Sequence, residues 1–171
     1  MTQPPEIRPI REDDYAALAA LYRETVEQLG PALYTPDQVM AWAAFADDLV
    51  SMREYLFVPR TLVAVDAAGP LGFCGIAADG HVMSLYVASR ATRQGLGSRL
   101  LQAAMADARQ AFGVTRYYTE ASFFSRAVFE RHGFVVDEEE VVIRNEVAFR
   151  RFKMSHTVPA VSGCAAPETP R

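Results

Sequence analysis

Two glycines separated by one residue stand just before an apolar periodic run, in the stretch SRATRQGLGSRLL at residues 89–101. The backbone N–H groups of a helix's first turn have no partner inside the helix, and the positive end of the helix dipole lies beside them. An anion can accept several of these N–H groups if no side chain blocks its approach, and Gly95 and Gly97 carry none. Polar neighbours can add side-chain contacts: Arg93, Gln94 and Ser98. The spacing therefore predicts a pyrophosphate site at this turn.

Two better-known phosphate motifs do not fit the stretch. No Gly-Lys-Ser or Gly-Lys-Thr follows the glycines, so the turn is not a P-loop. Arg99 and Leu100 stand where the third glycine of a dinucleotide-binding fingerprint could fall, and the strands upstream predict a meander rather than a βαβ unit. On the glycines alone, a tight turn without a ligand stays the alternative interpretation.

Hydrophobic periodicity predicts the elements that must hold this turn. A period near that of the α-helix marks the helices, and short β-like runs between turn signals mark the strands. The first half of the chain predicts a strand at 7–10, a helix capped by Asp13 or Asp14 and ended by Gly30, a helix opened by a capping box at 35–38 and a helical stretch at 47–57. Three meander strands follow at 61–67, 71–78 and 82–87. The rest of the chain predicts a helix at 96–112, a strand at 115–121, a short helix before Gly133 and two strands around a turn at 144–145. This order predicts one α/β domain with a mixed sheet.

Composition excludes several classes of function. The chain has 171 residues and a net charge of −4, with no block of like charge longer than DEEE, so a nucleic-acid partner is not expected. No apolar run is long enough to span a membrane, and the start has no apolar signal segment, so a cytoplasmic protein without membrane contact is expected. Cys74 and Cys164 lie far apart, and neither they nor the histidines show metal-ligand spacing, so neither a disulfide nor a metal site is expected.

The stretch LYVASRATRQGLGSRLL resembles the acetyl-coenzyme A signature of the GNAT acyltransferase superfamily, in which a strand and a few polar residues lead through Arg/Gln-x-x-Gly-x-Gly/Ala into a helix. ASFFSRAVFERHGF, residues 121–134, is similar to that family's second motif, a strand end followed by a short helix and Gly-Phe. IRPIREDD and FKM look like the family's edges, and LYTPDQVMAWA resembles the acceptor-side helices of its small-molecule subgroup. The likeness covers residues 6–156 and implies a mixed, mainly antiparallel sheet of about six or seven strands flanked by helices. Residues 157–171, rich in Pro, Ala and Ser, are expected to form a disordered tail.

The resemblance also implies a coenzyme site along one strand and the turn that follows it. The backbone of the strand would pair with the pantetheine arm, and the turn would bind the pyrophosphate. The coenzyme-binding residues expected on this basis are Leu85, Tyr86, Val87, Thr92, Arg93, Gln94, Gly95, Leu96, Gly97, Ser98 and Phe129. Two positions depart from the family pattern. Thr92 stands where the signature begins with Arg or Gln, and Phe129 stands where many relatives have a tyrosine proposed to protonate the departing thiolate.

Acetyl transfer to an amine also needs a base, and the sequence offers two candidates. His81, at the start of strand 82–87, and Glu120, near the end of the neighbouring strand, could each remove the proton, while a solvated turn histidine and a surface carboxylate are the alternatives. Ser122 either hydrogen-bonds the coenzyme or caps the helix that follows. Tyr34 and Trp42 either line the acceptor pocket or belong to the core.

These expectations together predict direct transfer of an acetyl group from acetyl-CoA, as co-substrate, to the primary amine of a small molecule. The protein is expected as a monomer or a homodimer. Three alternatives stay open: a non-catalytic acyl-CoA sensor on the same fold, which Phe129 favours, a protein N-acetyltransferase, and an unrelated nucleotide-binding protein.

Overall fold

Seven strands and five helices make up the structure, a computed structural model that describes residues 4–159. The strands are β1 Glu6–Pro9, β2 Arg60–Asp66, β3 Gly69–Ile76, β4 Val82–Val87, β5 Arg116–Ala121, β6 Val135–Arg144 and β7 Val147–Thr157. The helices are α1 Tyr15–Leu29, α2 Pro36–Ala43, α3 Leu49–Phe57, α4 Leu96–Phe112 and α5 Arg126–Arg131. The predicted α/β fold is confirmed, with each element close to its predicted place.

The strands form two antiparallel sheets, one in the order β1-β2-β3-β4 and one in the order β5-β7-β6. The sheets meet where β4 approaches β5, at an isolated parallel bridge between His81 and Tyr118. Beyond that bridge the two strands diverge, and β4 pairs with β3 while β5 pairs with β7. The parallel part of the predicted mixed sheet is therefore this bridge, and one side of β4 is left as an open edge.

The first sheet has helices on both faces because its residues alternate between two cores. Leu62 and Cys74 face a core shared with α4, whereas Val63 and Phe73 face a core shared with α1, α2 and α3. The buried positions of α4 recur every three to four residues, as the sequence predicts: Leu96, Leu100, Leu101, Ala104 and Ala108. Phe112, which was also predicted on this stripe, is 44% exposed because the helix ends there.

The start of α2 matches its prediction, and the start of α1 does not. Thr35 Oγ1 accepts the N–H of Gln38 at 3.3 Å, and Gln38 Oε1 accepts the N–H of Thr35 at 2.9 Å, which is the predicted capping box. Asp14 makes no side-chain hydrogen bond to α1. Its carboxylate instead accepts hydrogen bonds from the guanidinium of Arg8 at 2.7 and 2.8 Å and from the N–H of Arg11 at 2.7 Å. This buried carboxylate therefore binds a charged partner and the N-cap N–H of the helical turn at 12–14, and no N–H of α1.

The chain continues in ordered contact past the predicted domain boundary at 156. The N–H of Val158 donates to the Thr115 carbonyl at 2.8 Å, and the guanidinium of Arg109 donates to the Pro159 carbonyl at 2.9 Å. Most of the predicted tail, residues 160–171, lies outside the described residues, as does Cys164. Within residues 4–159, no helix has the length and apolarity needed to cross a membrane.

Candidate active site

A cavity of about 1240 Å³ follows the open edge of β4. At one end it reaches the turn that precedes α4, residues 92–98, which we call the glycine end. At the other it is lined by Tyr22, Trp42, Tyr55 and Tyr86, which we call the aromatic end. A single continuous space therefore joins the glycine motif to side chains from α1, α2, α3 and β4.

The glycine end allows a ligand to approach the backbone closely. Gly95 is the N-cap of α4 with a φ of 74°, and a Cβ built on it would meet no atom within 4 Å. A Cβ on Gly97 would meet Val87 Cγ2 at 3.7 Å, an ordinary contact distance. Open space therefore adjoins the first turn of α4, where unpaired N–H groups and the positive end of the helix dipole favour an anion.

Most of the residues predicted for this turn line the cavity: Thr92, Arg93, Gly95, Leu96, Gly97 and Ser98. Gln94 lies outside the lining, and its side-chain amide donates to the Arg90 carbonyl at 3.3 Å. The Thr92 hydroxyl donates to the Ser89 carbonyl at 2.9 Å. These two side chains hold the backbone of the turn, and Arg93 supplies its positive charge.

The open edge of β4 presents backbone groups at alternate residues. Just after the end of β4, the N–H of Ala88 donates to the carbonyl of Leu71 on β3 at 2.8 Å. Successive residues of a strand direct their N–H and C=O groups to opposite sides. The backbone groups of Tyr86, two residues before Ala88, therefore point toward β3, and those of Leu85 and Val87 point to the open edge. Leu85 and Val87 can therefore pair with an extended ligand, whereas Tyr86 contributes its phenol to the aromatic end.

Neutral phenols and an indole form the aromatic end. The rings of Tyr22 and Tyr86 lie 4.7 Å apart, and Trp42 Nε1 donates to the Tyr86 hydroxyl at 3.2 Å. The Tyr55 hydroxyl donates to the Met83 carbonyl on β4 at 2.8 Å. Burial raises the pKa of the Tyr22, Tyr55 and Tyr86 phenols, so they stay protonated at neutral pH.

The predicted acceptor residues occupy different depths. Trp42 lies at the aromatic end, and the ring of Tyr34 packs edge-on against it at 5.2 Å. Tyr34 is buried, and its hydroxyl accepts the N–H of Phe123 at 3.0 Å. Tyr34 borders the cavity but also belongs to the core, so both interpretations of this residue apply to it in part.

The two candidate bases form a pair at the point where the sheets meet. His81 Nε2 and Glu120 Oε2 are 2.7 Å apart. Glu120 lines the cavity, whereas His81 lies outside the lining and contacts the cavity only through Glu120. The hydrogen bond from His81 lowers the pKa of Glu120, against the opposing effect of burial. At neutral pH the group that faces the cavity is therefore a carboxylate.

Two further residues fix the position of His81. Its ring is stacked on that of Tyr118, with centres 4.6 Å apart and planes 3° from parallel. The Tyr118 hydroxyl donates to Asp79 at 2.5 Å, and the other oxygen of Asp79 accepts the backbone N–H of His81 at 3.0 Å. The hydrogen bond to Asp79 raises the pKa of Tyr118 to about 12, so Tyr118 stays a neutral donor. These contacts hold the imidazole against Glu120.

Ser122 closes the turn that precedes α5, whose N-cap is Ser125. Its N–H donates to the Ser125 hydroxyl at 3.0 Å, and its own hydroxyl accepts the N–H of Ser125 at 3.2 Å. The residue also borders the cavity, as a coenzyme contact would require. The local hydrogen bonds account for Ser122 without a ligand, because they engage both its backbone and its side chain.

Phe129 is 2% exposed and packs edge-on against Phe134, with ring centres 5.0 Å apart. It reaches the lining of the cavity from α5, as its predicted place beside the coenzyme requires. Tyr117, on β5, is buried in the core, and its hydroxyl donates to the Met105 carbonyl at 2.8 Å. Neither ring therefore presents a free phenol to the cavity.

Several cavity residues were not singled out from the sequence. Tyr22, Tyr55 and Arg144 line the cavity and belong to none of the predicted motifs. Asp79 lies outside the lining, and its place two residues before His81 is that of an Asx turn, in which the carboxylate accepts the N–H two residues on. Among residues 4–159, no three His, Cys, Asp or Glu side chains cluster as metal ligands would.

Comparisons with known proteins address the fold and the site together. Residues 32–156 match the family described as an acetyltransferase (GNAT) domain. The uncharacterized N-acetyltransferase YafP of Escherichia coli K12 is 26% identical over 151 residues, which cover 88% of this chain and 95% of that protein. A GCN5-related N-acetyltransferase from Rhodopseudomonas palustris is 27% identical, with a TM-score of 0.85 over 92% of this chain and 98% of that one.

A third relative, the PaiA N-acetyltransferase of Thermoplasma acidophilum, was solved in complex with coenzyme A. It shares 17% identity and a TM-score of 0.72, over 91% of this chain and 99% of that one, which is a likeness of fold. The family match covers well over half of the chain and includes the glycine turn, the open strand edge and the Glu120 region. The chain therefore belongs to the GNAT acetyltransferase family and is an acetyl-CoA-dependent acyltransferase.

Proposed function

We propose that this protein transfers an acetyl group from acetyl-CoA directly to the primary amine of a small molecule in the cytoplasm. The observation that supports this most is the single cavity that joins the glycine end, the open edge of β4 and the Glu120 carboxylate to the aromatic end. Every part that such a transfer needs, a donor site, a base and an acceptor pocket, borders the same space.

The residues present fit acetyl-CoA. The space beside Gly95 accepts a pyrophosphate at the N-terminus of α4, and the charge of Arg93 is of the opposite sign. Leu85 and Val87 can hydrogen-bond the amides of the pantetheine arm, as an added strand would. Acetyl-CoA bound in this way supplies the thioester carbon that the amine attacks. Alignment of the two reactants alone can contribute about 7–11 kcal/mol to the acceleration.

Glu120 receives the proton that the amine loses as the nitrogen bonds to the acetyl carbon and the carbon–sulfur bond breaks. His81 shares this proton, because its Nε2 and the carboxylate oxygen are 2.7 Å apart. Asp79 and Tyr118 act through His81, by holding its ring in place. Glu120 is the catalytic residue of this group, and the other three are positioning residues.

Phe129 cannot donate a proton to the departing thiolate. A thiol has an unperturbed pKa of about 8.5 in cysteine, so a thiolate is a tolerable leaving group near neutral pH. The absence of a phenol at Phe129 is therefore compatible with turnover, at the cost of the roughly 10²–10⁴ in rate that a positioned acid contributes. Phe129 is therefore no argument against turnover, and the main support for a sensor that binds acyl-CoA without reaction is removed.

The aromatic end is closed by contacts between α2 and the β6–β7 hairpin. Gln38 Nε2 donates to the Ala148 carbonyl at 2.9 Å, and Asn145 Nδ2 donates to the Ala41 carbonyl at 3.4 Å. An extended peptide needs an open groove at the acceptor side, and these hydrogen bonds bridge that side. The arrangement supports a small-molecule acceptor rather than a protein.

The test is release of free coenzyme A thiol from acetyl-CoA in the presence of a library of primary amines, with a lysine-containing peptide library in parallel. We expect turnover with small amines and little with peptides. Coenzyme A binding without turnover of any amine would instead indicate a sensor. A thermal shift with ATP or NAD but not with acetyl-CoA would contradict the proposal altogether.

The role of Glu120 is tested with Glu120→Gln, which keeps the shape of the side chain and removes the base. We expect kcat to fall by roughly 10²–10⁴ while coenzyme affinity stays the same. Glu130→Gln is the matched control, because Glu130 is an exposed carboxylate on α5 that pairs with Arg126 at 2.7 Å. Equal rates in the two variants would show that Glu120 is not the base.

A further inference from the structure

Resting on the proposed function, we infer that the amine acceptor carries a carboxylate and that the guanidinium of Arg144 binds it at the aromatic end. Arg144 lies at the end of β6, in the β6–β7 hairpin, and its guanidinium makes no hydrogen bond or ion pair within residues 4–159.

The direction of the Arg144 side chain follows from strand alternation. Val142 and Arg144 are two residues apart on β6, so they share a face of the sheet. Val142 packs against the core that contains Tyr22, and its partner across the ladder, Phe149, is buried in the same core. Ile143, between them, is 67% exposed on the other face. Arg144 is thus on the inward face, and it lines the cavity.

The hairpin is fixed in this position rather than free at its tip. Asn145, which follows Arg144, donates to the Ala41 carbonyl on α2, and Gln38 on the same helix donates to the Ala148 carbonyl. These contacts hold both strands of the hairpin beside the helix that carries Trp42. These contacts therefore hold the backbone that carries Arg144, an exposed residue, at the rim of the aromatic end.

Other arginines on the same sheet have carboxylate partners. Arg150 pairs with Glu139, and Arg151 pairs with Glu140 at 2.5 Å, although both arginines border the cavity. Within residues 4–159, Arg144 has no carboxylate within 4 Å. Two other cavity arginines also lack an ion pair within the described part of the chain: Arg93 at the glycine end and Arg131 on α5. Arg144 is the one of these three that lies at the acceptor side.

The electrostatics of the aromatic end agree with this placement. Burial raises the pKa of Tyr86, and hydrogen bonds from neighbouring side chains and the positive charge of Arg144 oppose that rise. The same charge acts on Tyr22 and Tyr55. The guanidinium therefore adds a positive charge to the surroundings of all three phenols, which favours an anionic group on a ligand bound among them.

The chemistry of these groups defines a class of acceptor. A planar guanidinium binds a carboxylate through two parallel hydrogen bonds, which an ammonium group cannot do. Neutral phenols and an indole pack favourably against an apolar or aromatic body. An aromatic amino acid combines the three features required: an amine, a ring and a carboxylate.

The experiment compares matched amines that differ only in the carboxylate. Phenylalanine is tested against phenethylamine and phenylalaninamide, and tyrosine against tyramine, with thiol release as the readout at fixed acetyl-CoA. We expect kcat/KM to be about 10- to 100-fold higher for the acids than for their decarboxylated partners. Phenylalaninamide should behave like phenethylamine, because it has the size of phenylalanine but an uncharged amide in place of the carboxylate.

Arg144→Gln should bring the ratio between acid and amine close to one, and Arg144→Lys should restore it only in part. Arg53→Gln is the control, because Arg53 is an exposed arginine on α3 that pairs with Glu12 and does not line the cavity. Its ratio should equal that of the wild type. Circular dichroism melting confirms that each variant is folded.

The outcomes separate this inference from the function on which it rests. If the wild type prefers the decarboxylated amines, or if Arg144→Gln keeps the preference for acids, the inference is wrong while the acetyltransferase proposal stands. If other amines of the library are turned over but none of these is, the inference is wrong and the acetyltransferase proposal stands. If coenzyme A binds and no amine of the library is turned over, both are contradicted. Isothermal titration of 3-phenylpropionate into the coenzyme A complex adds a readout without turnover, and its affinity should fall in Arg144→Gln but not in Arg53→Gln.

Discussion

Replacing Gly95 with alanine tests the glycine end, because α4 supplies its own matched control. Gly95 precedes the helix with a φ of 74°, and Gly113 follows it with a φ of 71°. A Cβ built on either residue would meet no atom within 4 Å. Each substitution therefore adds left-handed backbone strain of about 1–2 kcal/mol without a steric clash.

The two variants should lose the same stability and differ in coenzyme binding. For a chain of this size, 1 kcal/mol lowers the melting temperature by roughly 2–4 °C, so both should melt about 2–8 °C below the wild type. At Gly95 the new methyl group also fills the space beside the first turn of α4, where the pyrophosphate would accept N–H groups. Loss of one charge-assisted hydrogen bond, worth about 1.5–3 kcal/mol, weakens binding roughly 10- to 150-fold. Gly113 lies at the opposite end of the helix, so its variant should bind coenzyme A normally.

Isothermal titration with coenzyme A and circular dichroism melting give the two readouts. Gly95→Val should weaken binding more than Gly95→Ala, because its larger side chain fills more of the space in which the pyrophosphate would lie. The reasoning is refuted if Gly95→Ala is folded and binds coenzyme A as tightly as Gly113→Ala. Unequal melting temperatures would show that the two left-handed positions are not equivalent, and coenzyme affinity would then be compared at equal folded fractions.

Three further predictions follow from other parts of the structure. Phe129→Tyr should keep coenzyme affinity and raise kcat. The pH profile of wild-type kcat should reach a plateau at alkaline pH, whereas that of the variant should fall there. A wild-type profile that already falls would point to another acid. A chain that ends at Pro159 should keep its melting temperature and activity, whereas removal of two more residues, Val158 and Pro159, should lower stability. A large loss of stability in the chain that ends at Pro159 would show that residues 160–171 contribute to stability. Asp14→Asn should destabilise by roughly 1.5–3 kcal/mol, and the exposed Asp47→Asn much less. The Arg8 hydrogen bond lowers the pKa of Asp14. Its contribution to the free energy of unfolding is therefore complete above the ordinary carboxyl pKa and is lost as the pH falls through the lowered pKa of Asp14. Acid titration of the wild type and both variants measures this loss.

The fold was predictable from local patterns because most of its elements are marked within a few residues. The capping box at Thr35 opens α2, and the left-handed glycines Gly95 and Gly113 flank α4. The apolar stripe of α4 gives its buried face correctly except at Phe112, where the helix ends and the side chain is exposed. The cap of α1 was mistaken because Asp14 pairs with Arg8 on a neighbouring strand, and a pattern confined to one helix does not contain that partner.

The coenzyme half of the site could be predicted for the same reason, since a strand, a turn and a helix that are consecutive in the chain build it. The acceptor half could not, because its parts come from distant segments: Trp42 and Tyr86 are 44 positions apart, His81 and Glu120 are 39 apart, and Gln38 bonds to a carbonyl 110 residues away. Arg144 shows the consequence, since in the sequence it is a residue beside a turn, and only the docking of its hairpin on α2 brings it to the cavity. Under the proposed function, the choice of amine would follow from long-range packing and coenzyme recognition from a local motif, so chains that share the motif would differ in the amine they accept.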